Sequence, residues 1–158
     1  MSKTKDTIKV RGFFRVQITE DGKGIVGDSG WRKNQVTNLG FEQYLAQTLG
    51  GMAGSKTVSH VALGTGGAPA AIDTTLAGEI MSSTQRKTVS PSTVASKTVQ
   101  FTAAFASSAS FLSAAANLSN VGLFNTSSGG TLFAGNTFTS SSANTNQNVN
   151  VTYQIRFS

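Results

Sequence analysis

Few side chains in this sequence are able to do chemistry, and their placement limits what they can do. His60 is the only histidine, cysteine is absent, and the seven carboxylates are Asp6, Glu20, Asp21, Asp28, Glu42, Asp73 and Glu79. A nucleophilic serine needs a base held against it, and no serine stands in the Gly-x-Ser-x-Gly elbow that would expose one. The carboxylates do not recur at the intervals of a metal-binding loop, although Asp73 and Glu79 are near enough in sequence to meet around a calcium ion. Disulfides and thiolate zinc sites are excluded outright. His60 reads as a polar strand residue that points to solvent or bonds to a neighbouring loop. No catalytic residue, metal site or cofactor is expected, and the chain is not read as an enzyme.

Residues 60–80, HVALGTGGAPAAIDTTLAGEI, gather glycines with two of those acids. Cradling a phosphate takes successive amides with a lysine and a hydroxyl at fixed positions, and GTGGAPAAIDTT holds no lysine. Pro69 follows the glycines too closely for the helix start of a dinucleotide-binding turn. The glycines instead permit a tight exit from a strand anchored by Val61 and Leu63. Pro69 stiffens the crossing, Asp73 or Thr74 caps a short turn containing Leu76, and Glu79 precedes a strand beginning near Ile80.

The net charge of +6 raises the question of a polyanionic partner. In the first 33 residues eight cations stand against four acids, a modest and mixed excess where a phosphate backbone needs a convergent patch. Arg11, Arg15, Trp31, Arg32 and Lys33 are the candidate partner contacts. Phe13 and Phe14, between Arg11 and Arg15, would fall on opposite faces of a strand, so one of them belongs to the core. Trp31 is expected on a half-buried strand beside solvated cations. Nucleic acid is therefore an unfavoured partner. From Thr98 to Ser158 the only charged side chain is Arg156, which leaves a 61-residue half surfaced by Ser, Thr, Asn and Gln.

The elements that must carry these residues are mostly strands. After a polar N-terminal arm over residues 1–7, residues 8–158 read as one β-rich domain. Ile8, Val10, Gly12, Phe14, Val16 and Ile18 share one parity of a first strand, and Asp21-Gly22 turns it into a hairpin with Ile25-Val26. A short helix is expected over residues 38–49, capped by Asn38 and closed by Gly50-Gly51. Its apolar stripe of Phe41, Leu45 and Leu49, widened by Tyr44, would lie on a sheet or another subunit. Further strands are expected at 58–63 and within 81–90, the latter interrupted by Pro91-Ser92. Alternation is clearest in Val99, Phe101, Ala103, Phe105 and again in Val149, Val151, Tyr153, Ile155, Phe157. Between them, SAAANLS suggests one helical turn, followed by a hairpin of VGLFN and TLFAGNTF around Ser127 to Gly130. The fold class is mainly β, an antiparallel β-sandwich or jelly-roll-like fold with one short helix. No run of about eighteen apolar residues would span a membrane and no secretory signal is evident, so membrane partners are not expected. The Asn-x-Ser/Thr triplets at Asn117, Asn125 and Asn150 are read as chance.

Four segments together carry a resemblance. They are N-x-V-x-N-x-G-F from Asn34 to Phe41, the 60–80 stretch, NVGLFNTSSGGTLFAGNTF and the closing NVNVTYQIRF. The set resembles a class of small β-rich structural proteins of tailed bacteriophages, over roughly residues 34–158. Gly64, Thr65, Gly66, Pro69, Asp73, Thr74, Leu76 and Glu79 match its first motif. Val121, Gly122, Leu123, Phe124 and Asn125 match the second, and Leu132, Ala134 and Phe138 the third. Asn120 stands where the related pattern often has Glu, and Gly135 where it often has Arg. The resemblance implies a non-enzymatic, multicopy accessory or decoration component of a virion head or tail. Its partners would be major capsid or tail proteins and further copies of itself, and it would be made in the host cytoplasm without a signal peptide. The alternatives are a tail-tip receptor- or glycan-binding module and, more weakly, a nucleic-acid-binding protein. Exposed aromatic and amide side chains around one groove would favour the binding module, and a broad flat surface the structural role.

Overall fold

The structure, a computed structural model, describes residues 7–80 and 86–158. Most of the N-terminal arm expected at 1–7, and the 81–85 part of the strand expected within 81–90, lie outside the described residues. In chain order the strands are β1 (Val10–Glu20), β2 (Gly24–Asp28), β3 (Arg32–Lys33), β4 (Gln35–Val36) and β5 (His60–Gly64). There follow β6 (Lys87–Thr88), β7 (Ser90–Ala95), β8 (Thr98–Phe105), β9 (Ala116–Phe124), β10 (Leu132–Ala143) and β11 (Gln147–Phe157). The first sheet has the order β2-β1-β11-β8-β7, with β3 also on β1; the second has the order β4-β10-β9-β5-β6. All pairings are antiparallel. The chain switches sheets at Asn34, between β3 and β4, at Val89, between β6 and β7, and again between β8 and β9 and between β10 and β11. The result is the β-sandwich that the strand alternation predicts.

Alternation decides what fills it. Phe14, Val16 and Ile18 on β1 meet Val149, Val151, Tyr153 and Ile155 on β11, and all are buried. Phe101, Ala103 and Phe105 extend the same face on β8, while Val61, Leu63, Leu118, Val121 and Leu123 come from the opposing sheet. Phe14 stacks on Tyr153 with ring centres 5.7 Å apart and meets Phe138 edge-on at 6.2 Å. The Tyr153 hydroxyl has no solvent, and it accepts a hydrogen bond from Asn34 Nδ2 at 2.6 Å at the first sheet-switching corner. Phe13 falls on the outer face, as the parity of Phe13 and Phe14 requires.

Several details depart from expectation. The helix α1 is π-wound over Gly40–Ala46 and α-helical over Gln47–Leu49. Its cap is Thr37, whose Oγ1 accepts the Gly40 N–H at 2.9 Å; Asn38 instead donates its own N–H to Ala71 O. Gly40 and Tyr44 face the sheet, with Tyr44 against Phe133 and Leu45 half-buried beside it, while Phe41 and Leu49 are 46% and 92% exposed. SAAANLS forms no helical turn: β9 begins at Ala116, and a single 3₁₀ turn lies earlier, at Ser107–Ala109. Pro91 does not break its strand, because β7 is an edge strand, paired among the described residues with β8 alone, and can lose one donor there. Trp31 sits in a bend outside the strands and is 46% exposed.

Candidate functional site

The residues of the 64–79 motif lie over the outer face of the second sheet, whereas Val121, Leu123, Ala134 and Phe138 belong to the main core. Gly64 and Glu79 form an antiparallel bridge, flanked by Thr65 N–H to Gly78 O at 3.0 Å and Ile80 N–H to Leu63 O at 2.9 Å. The intervening loop is thereby closed at its neck and folds back across β9 and β10. Leu76 drops into a small apolar cluster with Ala62, Phe124 and Leu132. Burying one such leucine stabilises by about 2 kcal/mol. The approach is close enough that a Cβ on Gly66 would lie 2.4 Å from Ala77 O.

A covering loop carries backbone carbonyls that need donors once water is excluded. Asn120, fully buried on β9, donates through Nδ2 to Gly67 O at 3.1 Å and Ala77 O at 2.7 Å, while its Oδ1 has no protein partner. Ser119 Oγ donates to Gly66 O at 2.8 Å, and Leu132 N–H to Thr74 O at 2.9 Å. A carboxylate at 120 would repel the two carbonyls that the amide serves. At 135 a Cβ would lie 2.7 Å from Val121 O and 3.3 Å from Pro69, so an arginine has no room. Both departures from the related pattern thus suit this loop.

The two acids of the motif have separate partners. Asp73 forms no helical cap; its Oδ2 accepts the Ala70 N–H at 2.8 Å and tightens the 70–73 turn. Glu79 receives both ends of the Arg86 guanidinium, at 2.6 Å from Nε and 3.2 Å from Nη2. Arg86 Nη1 also donates to Thr126 O at 3.1 Å and Gly129 O at 2.6 Å, and its carbon centre lies 3.4 Å from the Phe124 ring centre. This buried cation ties the loop neck to the β9–β10 hairpin. Sequence reasoning missed it: Arg86 lies in a polar run, and nothing local distinguishes it from a solvated arginine. Asn125 completes the hairpin by accepting the Thr131 N–H at 2.9 Å. Tyr44 donates its hydroxyl to Thr131 O, and burial raises its pKa well above the usual tyrosine value. His60 is half-buried on β5, with Nδ1 2.7 Å from Ser59 Oγ. Burial, and secondarily the charge of Arg86, lowers its pKa.

The candidate partner contacts do not form one strip. Arg15 is paired with Asp28, Nε to Oδ1 at 2.9 Å, and that hydrogen bond, reinforced by Gly30 N–H, holds the Asp28 carboxyl well below the usual range. Lys23 is paired with Glu20 at 3.0 Å at the hairpin end of β1. Arg32 lies opposite Phe14 in register, on the parity away from Lys33, and donates to Ser29 O. Arg11 and Lys33 do share the outer face of the first sheet. They flank Phe13, which lies opposite Lys33, and Arg11 lies opposite Arg156. Arg156 stacks over Phe13 at 4.4 Å. Beyond this corner the outer face holds the Arg15–Asp28 pair on β1 and β2, and its β11–β8 part is uncharged: Asn150, Thr152 and Gln154 on β11 stand beside Ala104, Thr102 and Gln100 on β8, and Gln154 Nε2 donates to Gln100 Oε1 at 2.8 Å. Ser92 and Ser90 on β7 continue the row next to Gln100 and Thr102.

The fold and these faces define a mainly antiparallel two-sheet sandwich protein with one short helix. No protein-family description, characterised protein or solved structure matches the chain.

Proposed function

We propose that this chain is a non-enzymatic structural protein of a tailed bacteriophage virion, present in many copies as an accessory or decoration component of head or tail. The observation that carries the reading is the uncharged amide and hydroxyl face spanning β11, β8 and β7. Such a face packs against a neighbouring copy, or against a capsid or tail protein, without accumulating like charge, and its donors and acceptors pair in either direction. The motif resemblance supports the same role, with the clasped 64–79 loop as the rigid outer wall of the subunit. The chain's partners are then other virion proteins, and its station is the particle after synthesis in the host cytoplasm.

Imaging of purified particles, with this chain located in the density, tests the reading. Many ordered copies in contact through the first sheet's polar face are expected. Absence from particles, with the protein free in the infected cell, would sink it.

A further inference from the structure

We propose that the groove at the corner where β1 begins, between β1, the β3–β4 link and α1, binds a carboxylate-bearing saccharide. The groove holds about 390 Å³, the size of a small-ligand site, and its nine lining residues include two cations and no carboxylate. The cations are Arg11 and Lys33, both exposed, and neither is in an ion pair among the described residues. Arg156 adds a third positive charge beside them through its stack on Phe13. Phe41, 46% exposed, forms the α1 wall of the groove. An exposed ring of this kind covers the C–H face of a sugar, and a guanidinium forks onto a carboxylate. Gln35 Nε2 is used by Val36 O at 2.8 Å, which leaves its Oε1 to accept a sugar hydroxyl.

The same geometry argues against the other anions. A nucleic-acid backbone needs cations repeating along its path, yet the next ones along the β1–β2 hairpin, Arg15 and Lys23, are neutralised by Asp28 and Glu20. A neutral sugar would accept hydrogen bonds from Arg11 and Lys33 but leave their charge uncompensated, where a carboxylate forms the stronger charge-assisted bonds. An extended acidic peptide has no use for a single concave site walled by Phe41. The inference goes beyond membership of a particle and does not require it.

The test is titration of the full chain with trigalacturonate, a hyaluronan tetrasaccharide and sialyllactose, followed by calorimetry and by NMR of backbone amides. At least one should bind with shifts confined to the region of Arg11, Phe13, Gln35 and Phe41, and methyl esterification of its carboxylates should abolish binding. Arg11→Gln, Lys33→Gln and Phe41→Ala should each weaken binding about tenfold. Arg11 and Lys33 are exposed, so their substitutions should leave unfolding transitions unchanged while weakening binding, and Lys23→Gln at the far hairpin should bind as the parent does. No binding of any acidic saccharide at about 10 mM overturns the proposal. Equal binding of decaglutamate or an oligothymidylate through the same residues overturns it as well. Incorporation of the triple variant into particles reads the virion role separately, so either idea can fail alone.

Discussion

The second sheet has its outer face covered by the chain's own 64–79 loop, whereas the first presents its outer face to solvent. The consequence is visible strand by strand. On β9 both parities are buried, Val121 and Leu123 against the main core and Gly122 and Phe124 beneath the loop. On β11 one parity is buried, and Asn150, Thr152 and Gln154 on the other are not. Similar polar residues therefore do different work. Asn120 and Ser119 serve carbonyls of the covering loop, while Gln100 and Gln154 bond each other across an open surface. Covering a sheet removes apolar area from water but obliges every buried carbonyl to find a donor, and the clasp residues meet that demand.

The contrast can be broken most severely at Arg86. Arg86→Met leaves the largely covered Glu79 without its partner and should destabilise by about 3 kcal/mol in urea denaturation, with the loop neck becoming a protease site. Adding Glu79→Gln should recover most of that loss, and no recovery would mean that the pair does not hold the neck. Asn120→Ala strips donors from Gly67 O and Ala77 O and should cost about 2 kcal/mol, with hydrogen exchange accelerated across residues 66–77 and not in β11. A smaller effect follows from His60. Its pKa is lowered on folding, so the unfolded chain takes up the proton more readily. The folded protein should keep full stability above about pH 6.5 and lose some as pH falls through and below that value, and His60→Asn should flatten this part of the profile. On the open face, Gln100→Ala should change stability by less than about 0.5 kcal/mol; a larger loss in the isolated chain would mean that this face is structural and not reserved for partners.

The strands were legible because period-two alternation is local, and β1, β8 and β11 carry it without interruption. The Asp21-Gly22 turn, the β9–β10 hairpin and the strand exit at Gly64 were legible for the same reason: each rests on turn residues adjacent in sequence. The helix was legible in position but not in face, since Phe41, Leu45 and Leu49 keep a helical spacing whichever side is buried, and the docking of Gly40 and Tyr44 on Phe133 turns Phe41 and Leu49 outward. Its cap was misplaced by one residue because Thr37 and Asn38 are both good caps, and only the approach to Phe133 and Leu132 selects the threonine. The motif loop was recognisable as architecture, yet its clasp was not, because Arg86 and Asn120 bind residues as many as 53 positions away.

By itself the sequence determined the class of fold, the parity of nearly every strand and the poverty of reactive groups, since these depend on residue type and on spacings of a few positions. Tertiary structure alone decided which sheet is covered, which polar residues are clasps and which are displayed, and which cations stand together around Phe13. Those outcomes depend on what lies across a strand or under a loop, and that proximity arises only when the two sheets close on each other.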